Sequence, residues 1–175
     1  MTEINLPDRQ KDVEAVRSVR TPAEMTFSYT PGQASSRYLK GIAQKKILGA
    51  RVAEGTKVYV PPRGADPELG QPTPIEVEVA QVGTVTSFCV VNLQFYGQEM
   101  EVPYTSGLIQ LDGSDLPIMH LLQEVDVKDV RIGMRLEAVW VDDADLRPNL
   151  ESIKYFRPID EPDVEVIQPG AGVTW

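Results

Sequence analysis

Residues 75–158 carry a succession of short β-type segments, and this feature most constrains the fold. Ile75, Val77 and Val79 alternate with acidic residues, which is typical of a strand with one buried face. Gly83 interrupts this pattern, which then continues to Val91, so we interpret the whole as one long strand bent at a glycine. Four further strands are predicted at Tyr104–Leu111, Ile118–Leu122, Met134–Val141 and Leu150–Phe156.

A short helical turn is predicted between the third and fourth of these strands. It begins near Asp126, a capping residue type, and ends at Gly133. Five strands with a short helix at this place are the pattern of the OB-fold, a partly open Greek-key barrel. The predicted fold class is therefore mainly β, with an OB-fold domain over residues 75–158.

The sequence before the barrel predicts a polar arm over residues 1–25 and an N-terminal helix over residues 26–46. Thr30 is suited to the N-cap and Pro31 to the first helical position. Apolar residues recur at helical spacing after them, at Ala34, Tyr38, Leu39, Ile42 and Ala43. Residues 159–175 are predicted to be a C-terminal tail.

Residues 47–74 have the layout of a metal-binding hairpin without the metal ligands. Two glycine turns flank the short β-type run Lys57–Val60, and units this small usually need a staple such as zinc. The chain has one cysteine, Cys89, and one histidine, His120, which excludes a disulfide framework and a cysteine zinc site. We expect no metal, and expect Val52, Val58, Val60 and Leu69 to form a small apolar cluster in its place.

Charge is distributed unevenly along a chain whose net charge is −9. Residues 37–63 oppose Glu54 alone with seven basic side chains: Arg37, Lys40, Lys45, Lys46, Arg51, Lys57 and Arg63. Residues 64–175 are strongly acidic, which argues against general nucleic-acid binding because that requires basic residues over an extended surface. The basic segment suits a compact anion or an acidic partner surface; ordinary solvated side chains are the alternative.

No catalytic motif is present. The sequence lacks a glycine-rich phosphate loop, a G-x-S-x-G element and a nucleophile beside an evident base. Both His120 and Cys89 lie in predicted strands; we interpret His120 as a half-buried packing residue and Cys89 as an inert cysteine. No apolar run reaches the length of a membrane span and the N-terminus is too polar for a secretory signal, so we expect a cytoplasmic protein without membrane contact.

Four segments carry a family resemblance over about residues 25–158: LGARVAEGTKVYVPPRGADPELG, VGTVTSFCVVN, LPIMHLLQ and DVRIGMRLEAVW. Together they resemble the zinc-ribbon/OB-fold family of acyl-CoA-associated proteins, in which a helix leads into a rubredoxin-like ribbon and then an OB barrel. The family's ribbon usually carries two C-x2-C pairs. Their positions correspond to Val52, Gly55, Asp66 and Leu69, so this chain resembles a metal-free member.

The resemblance implies a non-catalytic accessory subunit of a thiolase-fold enzyme, in a hetero-oligomer. Partners in that family include lipid-transfer-protein-like enzymes that cleave steroid side-chain CoA esters by a retro-aldol reaction. The partner would supply the catalytic groups, with acyl-CoA as substrate of the complex and no cofactor bound by this chain. Arg37, Lys40, Lys45, Lys46 and Arg63 are the expected contacts with CoA phosphates or an acidic partner surface.

Four aromatic residues are the expected partner interface: Tyr38, Tyr59, Phe95 and Tyr96. An OB-fold module that binds single-stranded nucleic acid is the alternative function, although such modules need a basic groove. An independent enzyme is a third hypothesis, with little support in the sequence.

Overall fold

The computed structural model describes residues 17–19 and 25–166, and those from Pro31 onward belong to one compact unit. Within these described ranges, helix α1 spans Gln33–Ile42, and single-turn 3-10 helices lie at Val127–Asp129, Asp143–Asp145 and Leu150–Ser152. The strands are β1 Ile47–Arg51, β2 Ile75–Val79, β3 Val82–Val91, β4 Tyr104–Leu111, β5 Ile118–Leu122, β6 Arg135–Trp140 and β7 Ile153–Pro158. Most of the predicted arm and the end of the predicted tail lie outside the described residues. Within the described part, no helix has the length and apolarity needed to cross a membrane.

Five strands close into a barrel in the order β3-β4-β5-β7-β6. Every neighbouring pair is antiparallel except β5 and β7, which are parallel and share the single pair Leu122↔Phe156. The core is filled by fully buried side chains that include Val85, Ile109, Leu136 and Phe156. This arrangement, with the helical turn Val127–Asp129 between β5 and β6, confirms the predicted OB-fold and mainly β class.

The prediction that Ile75–Val79 begins the barrel is wrong. This segment is β2, and it pairs antiparallel with β1 in a separate two-stranded sheet, from Ile47↔Val79 to Arg51↔Ile75. The first barrel strand starts at Val82, and its register shift lies between Val85 and Ser87 rather than at Gly83. A Cβ on Gly83 would lie 2.6 Å from the carbonyl oxygen of Gln110, so this glycine permits close approach to β4.

The helix is also shorter than predicted. Its N-cap is Gly32, which makes no side-chain capping bond, so Thr30 and Pro31 do not have the predicted positions. Along its buried face, Tyr38 and Ile42 are 4% and 0% exposed. A Cβ on Gly41 would lie 2.7 Å from Leu48 Cδ1, which shows how closely α1 packs on β1.

Arg135 joins three segments at one end of the barrel. Its guanidinium donates to both carboxylate oxygens of Asp112, at 2.8 and 2.6 Å, and to Thr84 Oγ1 and Glu161 Oε2, each at 2.9 Å. The Arg135 side chain is 10% exposed, and its bonds lower the pKa of the Asp112 carboxyl. The arginine therefore links the turn after β4 and the segment after β7 to the first residues of β3 and β6.

Candidate functional site

The ribbon, residues 52–74, leaves the two-stranded sheet after β1 and returns at β2. Its first turn is held by Arg51. The Nη1 atom of Arg51 donates to the carbonyl oxygens of Val52, Ala53 and Gly55, at 3.1, 3.1 and 3.0 Å. A planar, permanently charged guanidinium is suited to gathering several carbonyls at once. Arg51 therefore fixes the turn that contains the first two positions aligned with zinc ligands.

The second turn of the ribbon is held by Asp66, which occupies the third aligned position. Asp66 is 5% exposed, and its Oδ1 accepts the backbone N–H groups of Glu68 and Leu69 at 2.8 and 2.9 Å. Its Oδ2 accepts the hydroxyl of Tyr59 at 2.9 Å. These bonds, the one from Leu69 foremost, hold the pKa of the Asp66 carboxyl below its usual value, so it stays ionised at neutral pH.

Tyr59 connects this turn to the sheet. It is 3% exposed, its backbone forms a bridge with Ala50, and burial together with the bond to Asp66 raises the pKa of its hydroxyl. The guanidinium of Arg63 lies over the Tyr59 ring, 5.7 Å from its centroid. A Cβ on Gly49 would lie 2.6 Å from Val58 Cγ1, so the glycine gives the ribbon room to cross β1.

The predicted apolar cluster of the ribbon forms only in part. Val52, Val58 and Val60 are buried at 5%, 8% and 1% exposure, but Leu69 is 63% exposed and does not join them. Its backbone N–H, rather than its side chain, contributes by donating to Asp66. Among the described residues no three His, Cys, Asp or Glu side chains are grouped as metal ligands. The polar contacts of Arg51 and Asp66 thus hold the two turns that the resemblance aligns with zinc-ligand pairs.

The ribbon is also attached to the barrel through Asp115. The backbone N–H of Val58 donates to Asp115 Oδ2 at 2.7 Å, and the N–H of Asp115 donates to the Val58 carbonyl at 2.9 Å. This reciprocal pair satisfies both backbone groups of one ribbon residue. The loop after β4 therefore holds the ribbon against the barrel domain.

A groove of about 310 Å³ lies between α1 and the two-stranded sheet. The helix contributes Arg37 and Lys40, Lys46 lies just before β1, and β2 contributes Glu76 and Glu78. Arg37 Nε lies 3.6 Å from Glu76 Oε2, and Lys46 Nζ lies 3.0 Å from Glu78 Oε2. Lys40 has no ionic partner among the described residues, so the groove keeps one excess positive charge.

The structure places the five predicted basic residues in two groups. Arg37, Lys40 and Lys46 share the groove. Lys45, by contrast, pairs with Asp143 and Arg63 stacks on Tyr59, so neither lines the groove. The two counter-charges on β2 were missed because that strand was assigned to the barrel. The alternation of Glu76 and Glu78 does signal that both project from one face of a strand.

Two of the four aromatic residues predicted as a partner interface are not on the surface. Tyr38 and Tyr59 are buried within the chain, and burial raises the pKa of Tyr38 to about 12. Phe95 and Tyr96 are 66% and 104% exposed, in the loop that joins β3 to β4. Of the four predicted interface residues, Phe95 and Tyr96 are therefore the two whose exposed side chains can contact a partner.

The single histidine and the single cysteine differ in their surroundings. The ring of His120 contacts Phe156 edge-on, at 5.5 Å between centroids, and burial lowers its pKa, in accord with the packing role predicted for it. Cys89 is exposed on β3, and its chemical inertness stays a prediction.

The comparisons with known proteins address the barrel first. Residues 76–141 match the family model of the ChsH2 C-terminal OB-fold domain. The matched segment includes β3, β4, β5 and β6 of the barrel. No curated protein matches the chain.

Two solved structures share the fold of this chain. A chain of an Ltp2-ChsH2(DUF35) aldolase is 21% identical, with a TM-score of 0.58, and the match covers 75% of this chain and 98% of that one. A protein of unknown function from the DUF35 family of Sulfolobus solfataricus is 17% identical, with a TM-score of 0.54, and the match covers 73% and 84%. At these identities the likeness concerns the fold.

Proposed function

We propose that this chain is a non-catalytic subunit of a complex with a thiolase-fold, lipid-transfer-protein-like enzyme. In this proposal the complex acts in the cytoplasm on an acyl-CoA thioester, by retro-aldol cleavage of a steroid side-chain CoA ester. The enzyme supplies the catalytic groups and binds most of the substrate. This chain completes the assembly and contributes charged side chains beside the CoA entrance.

The likeness to a chain of the Ltp2-ChsH2(DUF35) aldolase carries the proposal, because it covers nearly the whole of that chain. The match of residues 76–141 to the ChsH2 OB-fold domain supports it independently. The single histidine, His120, packs against Phe156, and no metal-ligating group of three is present in the described part of the chain. Both observations favour a role in which a partner provides the chemistry.

The groove between α1 and β2 is the proposed contact for the CoA phosphates or for an acidic surface beside them. Arg37, Lys40 and Lys46 present positive charge there, and Glu76 and Glu78 partly neutralise it. A groove that binds an anion should respond in opposite directions when a positive and a negative charge are removed. Two single substitutions of opposite sign therefore test the groove more directly than a simultaneous charge reversal of several basic residues.

The experiment reconstitutes this chain with the purified lipid-transfer-protein-like enzyme and measures complex formation and steady-state turnover of the acyl-CoA. Lys40→Glu is expected to weaken assembly or raise the KM about three- to tenfold at low salt, and Glu78→Gln to change the same quantity in the opposite direction. Lys154→Glu is the matched control, because Lys154 is an exposed cation of β7 without an ionic partner in the described part of the chain. Failure of the two purified proteins to associate refutes the proposed function. Association without any effect of the two groove variants refutes only the role of the groove.

The alternative function, single-stranded nucleic-acid binding, has no supporting observation. Strands β3, β4 and β5, over Val82–Val91, Tyr104–Leu111 and Ile118–Leu122, contain no lysine or arginine. A backbone-tracking groove requires such residues.

A further inference from the structure

Strand β3 is longer than the neighbour on one of its edges. On one side it pairs with β4 along its length, from Gly83↔Leu111 to Val91↔Tyr104. On the other side β6 pairs only with Val82–Thr84, and the backbone bonds of Val85 with Gly133 and Met134 end the ladder. For Ser87–Val91, no described residue forms a ladder with this second edge.

Within the described part of the chain, this free edge lacks the features that usually protect one. Natural sheet edges are commonly blocked by charged side chains, proline or a covering segment. None of β3, β4 and β5 contains a charged Asp, Glu, Lys or Arg, or a proline. Their outward-facing side chains form an uncharged face: Ser87, Cys89, Val91, Tyr104, Ser106, Leu108, Met119 and Leu121.

Several apolar members of this surface are exposed. Met119 is 71% and Leu108 37% exposed, and these two residues are cross-strand partners. In the loop that continues from β3, Leu93 is 72% and Phe95 66% exposed. A free edge, an apolar face and an aromatic loop thus adjoin one another on the three consecutive strands β3, β4 and β5, which is the arrangement expected of a protein-binding surface.

The charges near the free edge of β3 indicate what kind of chain can bind there. No lysine or arginine lies between Arg63 and Lys128, and the loop after β3 carries Glu99 and Glu101. A second copy of this chain, joined edge to edge, would bring no lysine or arginine of its own β3 or the following loop to these glutamates. A segment that suits this edge is uncharged where it pairs with β3 and carries basic residues where it passes Glu99 and Glu101.

We propose that the free edge of β3 at Ser87–Val91 binds an extended segment of the partner protein by β-strand addition. Main-chain hydrogen bonds supply the affinity, and the uncharged outer face accepts alternate side chains of the added strand. Basic residues that flank this strand lie beside Glu99 and Glu101. This inference rests on the proposed function for the existence of the partner, and goes further by assigning the place and chemistry of docking.

Cys89 provides the probe, because it is the only cysteine of the chain and is exposed in the centre of this edge. We expect N-ethylmaleimide, with mass-spectrometric detection, to alkylate Cys89 at least tenfold more slowly in the complex with the lipid-transfer-protein-like enzyme than in the free chain. A variant that ends at Val166 is the control for coverage by the chain's own C-terminus. If the free full-length chain is already protected and this truncation exposes Cys89, the chain covers its own edge and the inference is overturned.

Proline substitution tests the main-chain hydrogen bonds. In a strand, successive N–H groups point to opposite edges, so of Val90→Pro and Val91→Pro only one removes a donor of the β4 ladder. The other variant should keep the wild-type Tm and weaken binding of the enzyme at least tenfold. Glu99→Lys with Glu101→Lys should weaken binding at low salt and leave the Tm unchanged.

The outcomes separate the two proposals. A complex that forms while Cys89 is alkylated at the free rate overturns the edge as docking site and leaves the proposed function intact. Normal binding by the proline variant that keeps its Tm has the same meaning. If no complex forms, the proposed function fails, and the inference fails with it.

Discussion

Replacing Arg51 by methionine tests whether polar contacts hold the ribbon in the absence of metal. The guanidinium Nη1 lies 3.0–3.1 Å from three carbonyl oxygens, but it has two hydrogens, so the contacts amount to about two full hydrogen bonds. A hydrogen bond from a charged donor contributes about 1.5–3 kcal/mol when buried and less when partly exposed, as Arg51 is. We therefore expect Arg51→Met to lower the free energy of unfolding by about 2 kcal/mol.

This loss corresponds to a Tm lower by about 4–8 °C for a domain of this size, measured by circular dichroism with and without a chelator. Hydrogen exchange at the Gly55 amide, which donates to the Val52 carbonyl at 3.3 Å, distinguishes local opening of the turn from global unfolding. Lys57→Met is the control, since Lys57 belongs to the same ribbon but pairs with Glu68 at the surface. If Arg51→Met changes neither the Tm nor the exchange rate at Gly55, the carbonyl contacts do not hold the turn.

Three further predictions concern other contacts. Asp66→Asn should reduce the Tm at pH 7 and lessen the decline of the Tm in acid. The lowered pKa of the Asp66 carboxyl contributes stability that is complete above the usual carboxyl pKa of 3.8 and is lost as the pH falls through the lowered pKa. Melting curves of both proteins between pH 7 and 2.5 check this. Gly49→Ala should cost about 1–3 kcal/mol, since its Cβ would meet Val58 at 2.6 Å, whereas Gly64→Ala, with nothing within 4 Å, should be neutral in the same denaturant titration. Arg135→Met should lower the free energy of unfolding, measured in urea, by about 2–3 kcal/mol. The loss is smaller than for a fully buried ion pair because Asp112 and Glu161 are each half exposed. An unchanged urea midpoint would show that this cluster does not stabilise the barrel.

The sequence predicts the barrel well because its strands are short, periodic and bounded by turn residues. Tyr104–Leu111 and Ile118–Leu122 are predicted with the bounds that the structure has. Ile75–Val79 was assigned to the barrel because alternation reports one buried face and does not report which sheet buries it. The pairing of β2 with β1 depends on contacts across the whole ribbon, which a local pattern does not contain.

The candidate site was predicted less completely, for reasons that concern side-chain pairing. A basic segment predicts positive charge, but Glu76 and Glu78 come to the groove from a distant part of the chain. The interface prediction for Tyr38 conflicts with its place in the apolar helical repeat, which predicts a buried side chain, and no local pattern predicts that Tyr59 is buried. The resemblance aligns Asp66 with a missing zinc ligand. Its role as a hydrogen-bond acceptor depends on the N–H groups of the folded turn around it, which the sequence alone does not place.

The position of the ribbon within the β1–β2 pair has a consequence for engineering. Because Arg51 and Ile75 are cross-strand partners, the ribbon is an excursion whose two ends are already joined by a sheet. A two-residue Asn-Gly turn spans such a junction, so the segment between the strands can be exchanged for another loop, provided that the new loop replaces the core contacts of Val58 and Val60. Chimaeras of this kind would keep the helix and the barrel constant while the ribbon changes. Binding measurements on them would separate the contribution of the ribbon to recognition from that of the barrel.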